Sequence, residues 1–527
     1  MSFDSNVDFS DIKDKLHKAK EVLESNPKSK IFNKEYMENM EPEMFSYAES
    51  IGLSSNEINQ LISSNVRTSY DSNLSCSLLD PNPSLIDIDG KLINNINLAA
   101  NLTTYRNGTI ADGVSKLILI IESKNSLQFS INDTTNGTLS SIRQASEDNN
   151  SSITVKDSPH NISNGKSVVA AVYTPPDSFN QDTGSNRTIN VNVVDPNNNS
   201  TNPPLDIPIQ IYRPPVVLVH GVWMNSNNTW VKTNFANSLT CCGFYYAFAD
   251  YEEHNSETFD PCDKVFGNYG IDSIRNAIHR ILGEYQYFKI AASQVDIIAH
   301  SMGGLMARGF VQQPDYIGKE NYMKGSIHRL ITIGTPHFGG PLSRFLNDRS
   351  DYWYFYDGLN PPNRCRTGKV EPKQLRTIYS DVLKFPIDKG AIEALIPNSV
   401  AYSHLHKTNV KSYAIAGSYK PNATKSHGCQ ELYYKSVEDS NDFDLDKDAF
   451  AGCDNDLLVS ITSQLGGLSK HHSAIYCNTV HEVFYIKDDS DAGISSETNS
   501  TDIQKDVIKL LSHSDSDRFA DAIGIHV

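Results

Sequence analysis

Val295-Asp296-Ile297-Ile298-Ala299-His300-Ser301-Met302-Gly303-Gly304 decides how the second half of this 527-residue chain is read. A strand-length apolar run ends at Ala299, and a helical pattern from Gly304 to Val311 begins just beyond Ser301. A serine on so sharp a strand-to-helix turn projects its hydroxyl, and its neighbours must be small because the backbone folds closely on itself. Gly303 supplies one small neighbour and Ala299 the other, at a position where glycine is usual. The Met302 backbone N–H and the helix dipole then face any negative charge that develops beside Ser301.

Outward from this turn the same alternation recurs. Val216-Val217-Leu218-Val219 runs into His220-Gly221, and further apolar strands read from Phe244 to Ala249, Leu330 to Ile333 and Val410 to Ala416. Helical patterns lie between and after them, from Ser273 to Glu284 and from Asp502 to Leu511. Near-continuous apolar strands alternating with helices predict an α/β domain whose mostly parallel sheet is covered on both faces. We assign it residues 213–527, with an insertion at about 341–396.

Three segments, Val217-Leu218-Val219-His220-Gly221, Ala299 to Gly304, and Gly334-Thr335-Pro336-His337-Phe338-Gly339-Gly340, occur in an order and spacing that resembles the lipase and esterase branch of the α/β-hydrolases. The resemblance implies that fold, with Ser301 as nucleophile, followed in chain order by an acid and then a histidine. Cys453-Asp454-Asn455-Asp456-Leu457-Leu458-Val459-Ser460 is similar to the family's acid-bearing Asn-Asp-Gly-x-Val segment, with Leu457 in place of glycine. That alignment puts the acid at Asp456, with Asp454 as the alternative. Asn478-Thr479-Val480-His481-Glu482-Val483 looks like the loop carrying the base, which favours His481 over His472, with His471 on the surface. His220 and His300 precede the acid and match structural positions of the family, and His337 reads as structural or pocket-lining. Counting as in related lipases gives the backbone N–H groups of Val222 and Met302 as the oxyanion hole. Val222, Trp223 and Met224 read as an acyl pocket, with plain core as the alternative.

The insertion carries Tyr352, Trp353, Tyr354, Phe355 and Tyr356. In this fold it would form a cap or lid, either a mobile apolar one suited to lipid-like or polyester substrates or a rigid one over a small-ester pocket. Asp442, Asp444, Asp446 and Asp448 have a spacing that can gather round Ca²⁺, but the glycine and distal glutamate of a calcium-binding hand are missing, so a solvated acidic loop is the expectation. The implied chemistry needs no cofactor and no metal.

Before the α/β domain, residues 1–74 place Ile12, Leu16, Val22 and Leu23 on one helical stripe, and Ser54-Ser55-Asn56-Glu57 reads as a helix start before Ile58, Leu61 and Ile62. Small helices packing on the rest of the chain are expected there. Residues 75–212 switch to period two, punctuated by Asn107-Gly108, Asp112-Gly113, Asn136-Gly137, Asn164-Gly165 and Pro175-Pro176, which predicts an all-β sandwich. The run Ala111 to Ser115, then Asn136 to Ser140, then Asn164-Gly165-Lys166 leading to Val172 through Pro176, resembles the bacterial Ig-like repeats of invasin-type surface proteins. That resemblance implies an exported protein with a spacer or docking module associated with a cell surface.

Composition bounds the rest. A net charge of −17 argues against a nucleic-acid partner, which needs clustered Lys and Arg, and against fixed residence on anionic lipid. No apolar run approaches the ~18 residues of a membrane span. Eleven Asn-x-Ser/Thr triplets start between Asn73 and Asn199, and such sites matter only outside the cytosol. An extracellular or cell-surface location, with a leader absent from the numbered chain, is therefore expected. Eight cysteines without a C-x-x-C pair indicate neither a disulfide scaffold nor zinc; a few loop bridges, Cys453 with Cys477 among them, fit an exported protein. The expected activity is hydrolysis of carboxylic esters, with thioesterase and phospholipase chemistry as rivals using the same three side chains, and an inert binding or adhesion module as the rival of another kind.

Overall fold

The computed structural model describes residues 76–81, 83–93, 104–144, 152–162, 166–197, 204–263, 268–340, 343, 355–356, 365–366, 390–419, 454–456, 458–481, 495–513 and 516–524. The expected helices of residues 1–74, the Asp442 to Asp448 loop, Leu457, Cys453 and most of the insertion, Tyr352 to Tyr354 included, lie outside the described residues.

Six strands form one wholly parallel sheet in the order Tyr246–Ala249, Val216–Val219, Val295–His300, Ile327–Ile333, Ser412–Ser418, Ser473–Cys477. The apolar runs of the four inner strands are continuous because each of these strands feeds two cores. Val217, Val219, Ile297 and Ala299 pack on one side with Ile271, Ile274, Ile278 and Ile281 of the helix Asn268–Tyr287, and with Leu305, Met306 and Phe310 of the helix Met302–Val311. Val216, Leu218, Ile298, Ile331 and Ile333 pack on the other with Phe235 and Leu239 of Phe235–Cys241 and with Ile503, Val507, Leu510 and Leu511 of Thr501–Ser512. Each fully buried aliphatic side chain contributes roughly 1.5–3 kcal/mol. The edge strand starts at Tyr246 rather than Phe244, because Gly243 and Phe244 still donate their N–H groups to the Thr240 and Leu239 carbonyls that close the preceding helix.

Ahead of this lies a two-sheet sandwich. One sheet runs Cys76–Leu79, Leu117–Glu122, Ser167–Thr174, Thr138–Ser141, antiparallel throughout, with His160–Asn161 also pairing Ser167–Thr174. The other contains Gly108–Ile110, Leu205–Tyr212, Asn186–Val194, Leu127–Ser130 and Thr154–Asp157. Ile189, Val191 and Val193 are buried while the adjoining Thr188 and Asn190 are exposed, the period-two pattern of a sheet with one wet face. Leu119, Val169 and Tyr173 of the first sheet meet Phe129, Val191 and Ile209 of the second in a single core.

The two units are stitched together. Ile290–Ala291, from the α/β part, adds in parallel to Gly108–Ile110 of the sandwich. The buried Arg213 guanidinium lies over the rings of Phe179 and Phe244 and donates to the Gly184 and Gln181 carbonyls and to Ser512 Oγ. His328 Nδ1 is 2.8 Å from Asp296 Oδ1 and Nε2 is 3.1 Å from Asp177 Oδ1. Both nitrogens face carboxylate acceptors, so both carry protons. Arg329 donates to the Asp177 carbonyl, and Lys411 Nζ lies 2.7 Å from Asp177 Oδ2.

Burial alone would push the His328 pKa down, but Asp296 and Asp177 outweigh burial and the opposing Arg329, and the net shift is upward. Burial likewise acts to raise Asp177, and is overcome by His328, Lys411 and Arg329, which hold it below the usual carboxylate range. A raised histidine stabilises the fold fully below its ordinary value near 6.5, and that stabilisation is lost as pH rises through the folded-state value. The Asp177 contribution runs the other way and disappears as pH falls below the ordinary carboxylate range. Melting temperature measured against pH should therefore fall as pH rises above about 6.5 in the wild type, and His328→Gln should melt lower overall with that slope missing. An unchanged slope in His328→Gln would contradict the assignment.

Candidate active site

Ser301 sits between the strand Val295–His300 and the helix Met302–Val311 with φ 54° and ψ −131°. Its N–H still belongs to the sheet, donating to the Ile333 carbonyl at 2.9 Å, while the next residue is already helical. Close approach explains the small residues around it. A Cβ on Gly303 would lie 2.5 Å from the His220 carbonyl oxygen, and one on Gly221 would lie 2.6 Å from Ser301 Cβ. Ala299 needs no such clearance, since its methyl group lies in the apolar core.

The structure brings Ser301, His481 and Asp456 into one chain of hydrogen bonds. Ser301 Oγ is 2.8 Å from His481 Nε2, and His481 Nδ1 is 2.7 Å from Asp456 Oδ2. A carboxylate only accepts, so Nδ1 carries the ring proton and Nε2 is left to accept from the serine hydroxyl. Asp456 is fully buried; its other oxygen accepts the Leu458 and Val459 N–H groups at 2.8 and 2.6 Å. The His481 N–H donates to the Asp456 carbonyl at 3.1 Å, so base and acid are also tied through the backbone. This arrangement can draw the proton from a serine hydroxyl as it attacks, and hold the resulting imidazolium beside a fixed negative charge.

The other candidates lie elsewhere. Asp454 is exposed. His472 Nδ1 donates to the Arg518 carbonyl at 3.0 Å, and His471 Nε2 lies 3.6 Å from Asp517. His337 is buried between Arg308 and Thr332, and burial holds it well below the usual histidine value. His220 stacks on Tyr251 with ring centroids 4.1 Å apart. Met302 follows Ser301 as the first helical residue, and Val222 follows the glycine that touches it. Trp223 turns the chain there with φ 55°, its N–H donating to the Asn255 carbonyl, while Asn255 Nδ2 donates to the Met224 carbonyl. The buried Asn255 thus anchors the loop beside the nucleophile, a role with no sequence signal beyond an Asn in a polar stretch.

Glu497 was also invisible in the sequence, lying in Ser495-Ser496-Glu497-Thr498 with no motif around it. It is fully buried, with Oε2 3.2 Å from His300 Nε2 and 3.4 Å from His481 Nδ1. Among the described residues, two groups bring possible metal-ligand atoms within 4.8 Å of one another: His300 with His481 and Glu497, and Asp260 with Cys262 and His404. The first belongs to the site just described. In the second, His404 Nδ1 lies 3.0 Å from each Asp260 oxygen, an ion-pair contact that accounts for the grouping.

Gly221→Ala must displace the elbow or the strand end, at a cost of about 1–3 kcal/mol for overpacking. Gly283, inside the helix Asn268–Tyr287, has open space where an alanine methyl would stand, with nothing within 4 Å, so Gly283→Ala should stabilise instead. The expected gain is about 0.5–1 kcal/mol, the helix-propensity difference between the two residues. Thermal melts of both variants check the pair of signs; a neutral Gly221→Ala would mean the elbow has slack.

A profile of the PGAP1-like alpha/beta domain matches residues 269–420, a span that holds Ser301 but ends before Asp456 and His481. The chain is 27% identical over 131 residues to the GPI inositol-deacylase of Debaryomyces hansenii, a match covering 24% of this chain and 12% of that protein. Among solved structures it is similar to the mature lipase BlEst2 of Bacillus licheniformis, at TM-score 0.32 and 16% identity over 57% of this chain and 93% of that one. Staphylococcus hyicus lipase gives TM-score 0.31 and 14% identity over 56% and 95%, and phospholipase PlaB of Legionella pneumophila 0.28 and 15% over 47% and 45%. Sheet order, the strand–elbow–helix turn and the profile match agree on an α/β-hydrolase-like fold for this part of the chain.

Proposed function

We propose that this protein is a serine hydrolase of carboxylic esters with lipid-like acyl substrates. The observation that carries the reading is the unbroken series from Ser301 Oγ through His481 to Asp456, with the serine on the elbow. Ser301 Oγ attacks the ester carbonyl carbon as its proton passes to His481 Nε2. The oxyanion is held by the Met302 and Val222 backbone N–H groups. The ester C–O bond then breaks, and Nε2–H returns the proton to the departing alcohol. Water, deprotonated by the same Nε2, attacks the acyl-serine carbonyl, the C–Oγ bond breaks as Nε2–H returns the proton to Ser301 Oγ, and the carboxylic acid leaves.

The lipid-like substrate class is supported by the profile match and by the relative's name, which speaks of deacylating an inositol. In our reading the sandwich is an Ig-like spacer or docking module of an exported, cell-surface protein, and the insertion following Gly340 is a cap over the acyl site. A two-residue hairpin, Phe355–Tyr356 against Cys365–Arg366, is the part of that insertion with described strands. No helix among the described residues is long and apolar enough to cross a membrane.

Hydrolysis of p-nitrophenyl esters from acetate to palmitate, in wild type and Ser301→Ala, tests the reading. Wild type should be active, with the longer acyl chains preferred, and Ser301→Ala should lose at least about 10³-fold in kcat at unchanged melting temperature. Activity surviving in Ser301→Ala, or a folded wild type inert on every ester, would refute it.

A further inference from the structure

We infer that Glu497 is a positioning residue for the base, a second carboxylate that holds His481 in register and shares with Asp456 the task of stabilising its protonated form; this rests on the hydrolase reading above. The backbone delivers Glu497 to that place. Thr479–Val480 and Ser495–Ser496 pair as two short parallel strands, and the Glu497 N–H donates to the Val480 carbonyl at 3.0 Å. His481 and Glu497 are thus the residues that emerge side by side from the same end of one ladder.

The surroundings are built to admit the carboxylate. Oε1 accepts the Gly417 N–H at 2.9 Å. A Cβ on Gly334 would come within 1.8 Å of Oε2, and one on Gly417 within 2.7 Å of Oε1, so two glycines from neighbouring strands leave the space that the carboxylate fills. His300 completes the set: its Nε2 faces two acceptors, Glu497 Oε2 and the His481 carbonyl, each at 3.2 Å, and so donates to them. Burial, helped by the neighbouring His481, pushes His300 well below the usual histidine value, which keeps it a neutral donor. His300 therefore ties the Glu497 side chain to the His481 backbone, while Glu497 Oε2 stands 3.4 Å from His481 Nδ1. Among the described residues, the groups facing the His481 ring include Ser301 at Nε2, Asp456 and Glu497 at Nδ1, and the His300 ring with centroids 4.8 Å apart.

Two consequences separate this role from plain packing. Removing one negative charge beside Nδ1 makes the imidazolium harder to hold. Glu497→Gln, which keeps the side-chain shape while removing the charge and one of the two acceptor oxygens, should therefore lower kcat about tenfold with KM unchanged and move the acid limb of the kcat/KM pH profile to lower pH. In Asp456→Asn, Glu497 becomes the remaining carboxylate at Nδ1, so that variant should keep at least about tenfold more kcat than Asp456→Asn/Glu497→Gln.

The experiment is ester hydrolysis by the 527-residue chain carrying these changes, each with its pH profile and melting temperature, against wild type and Ser301→Ala. Wild-type kcat and pH profile in Glu497→Gln, or equal rates in Asp456→Asn and the double variant, would overturn the role. Should Glu497→Gln fail to fold, Glu497→Asp takes its place, and a folded Glu497→Asp with the acid limb retained supports the charge requirement. Failure of both to fold would make Glu497 structural and overturn it equally. Activity that survives Ser301→Ala would instead sink the hydrolase reading, a result distinct from any outcome at Glu497.

Discussion

Ser301 occupies a backbone conformation that an L-residue adopts only when its surroundings impose it, and the rest of the site is arranged around that constraint. Positive φ at a residue with a side chain costs on the order of 1–3 kcal/mol. The sheet supplies the compulsion from one side, through the Ser301 N–H bond to Ile333, and the helix starting at Met302 supplies it from the other. Cores on both faces of the sheet make strand and helix too rigid to relax the turn. Gly221 and Gly303 are consequences: the chain crosses the elbow at distances where no Cβ fits.

The two remaining members of the series come from loops, yet neither hangs on a single contact. Asp456 is fixed by two backbone donors to one oxygen, and the carbonyl of the same residue receives the His481 N–H. His481 follows a short parallel ladder whose other strand leads into Glu497. Hydrogen-bonded carboxylates in a buried site cost little reorganisation when the imidazole gains its proton, which is the physical content of a preorganised base. A second buried histidine, His328, obeys the same electrostatics for a different end: its two carboxylate partners come from the sandwich and from the sheet, so charge there holds two units together.

The parts legible in the sequence are those where a local rule fixes the answer. The elbow could be read because strand, small residues and helix are contiguous from Val295 to Val311. The alternation of Asn186–Val194 gave away a half-buried strand, and the unbroken apolar Val216–Val219 a strand with cover on both faces. Asp456 and His481, which meet at 2.7 Å, were singled out by the resemblance of their segments to the acid- and base-bearing loops of the lipase and esterase branch, since residue type and chain order alone left Asp454 and His472 open. Glu497 could not be found this way. Its place depends on two-residue strands pairing across residues 481–495 and on glycines at positions 334 and 417, none of which has a periodicity to detect. The strand Ile290–Ala291 joining the sandwich sheet escaped for the same reason, as did the salt-linked His328, whose partners lie 32 and 151 residues away.

Activation of Ser301 can be measured without any choice of substrate: incubate the folded protein with a fluorophosphonate, which phosphonylates serines activated by a neighbouring base, and map the adduct by peptide mass. A stoichiometric adduct on the peptide bearing Ser301 is expected. A folded protein that takes up no adduct, or takes it up on another residue with Ser301 untouched, would contradict it.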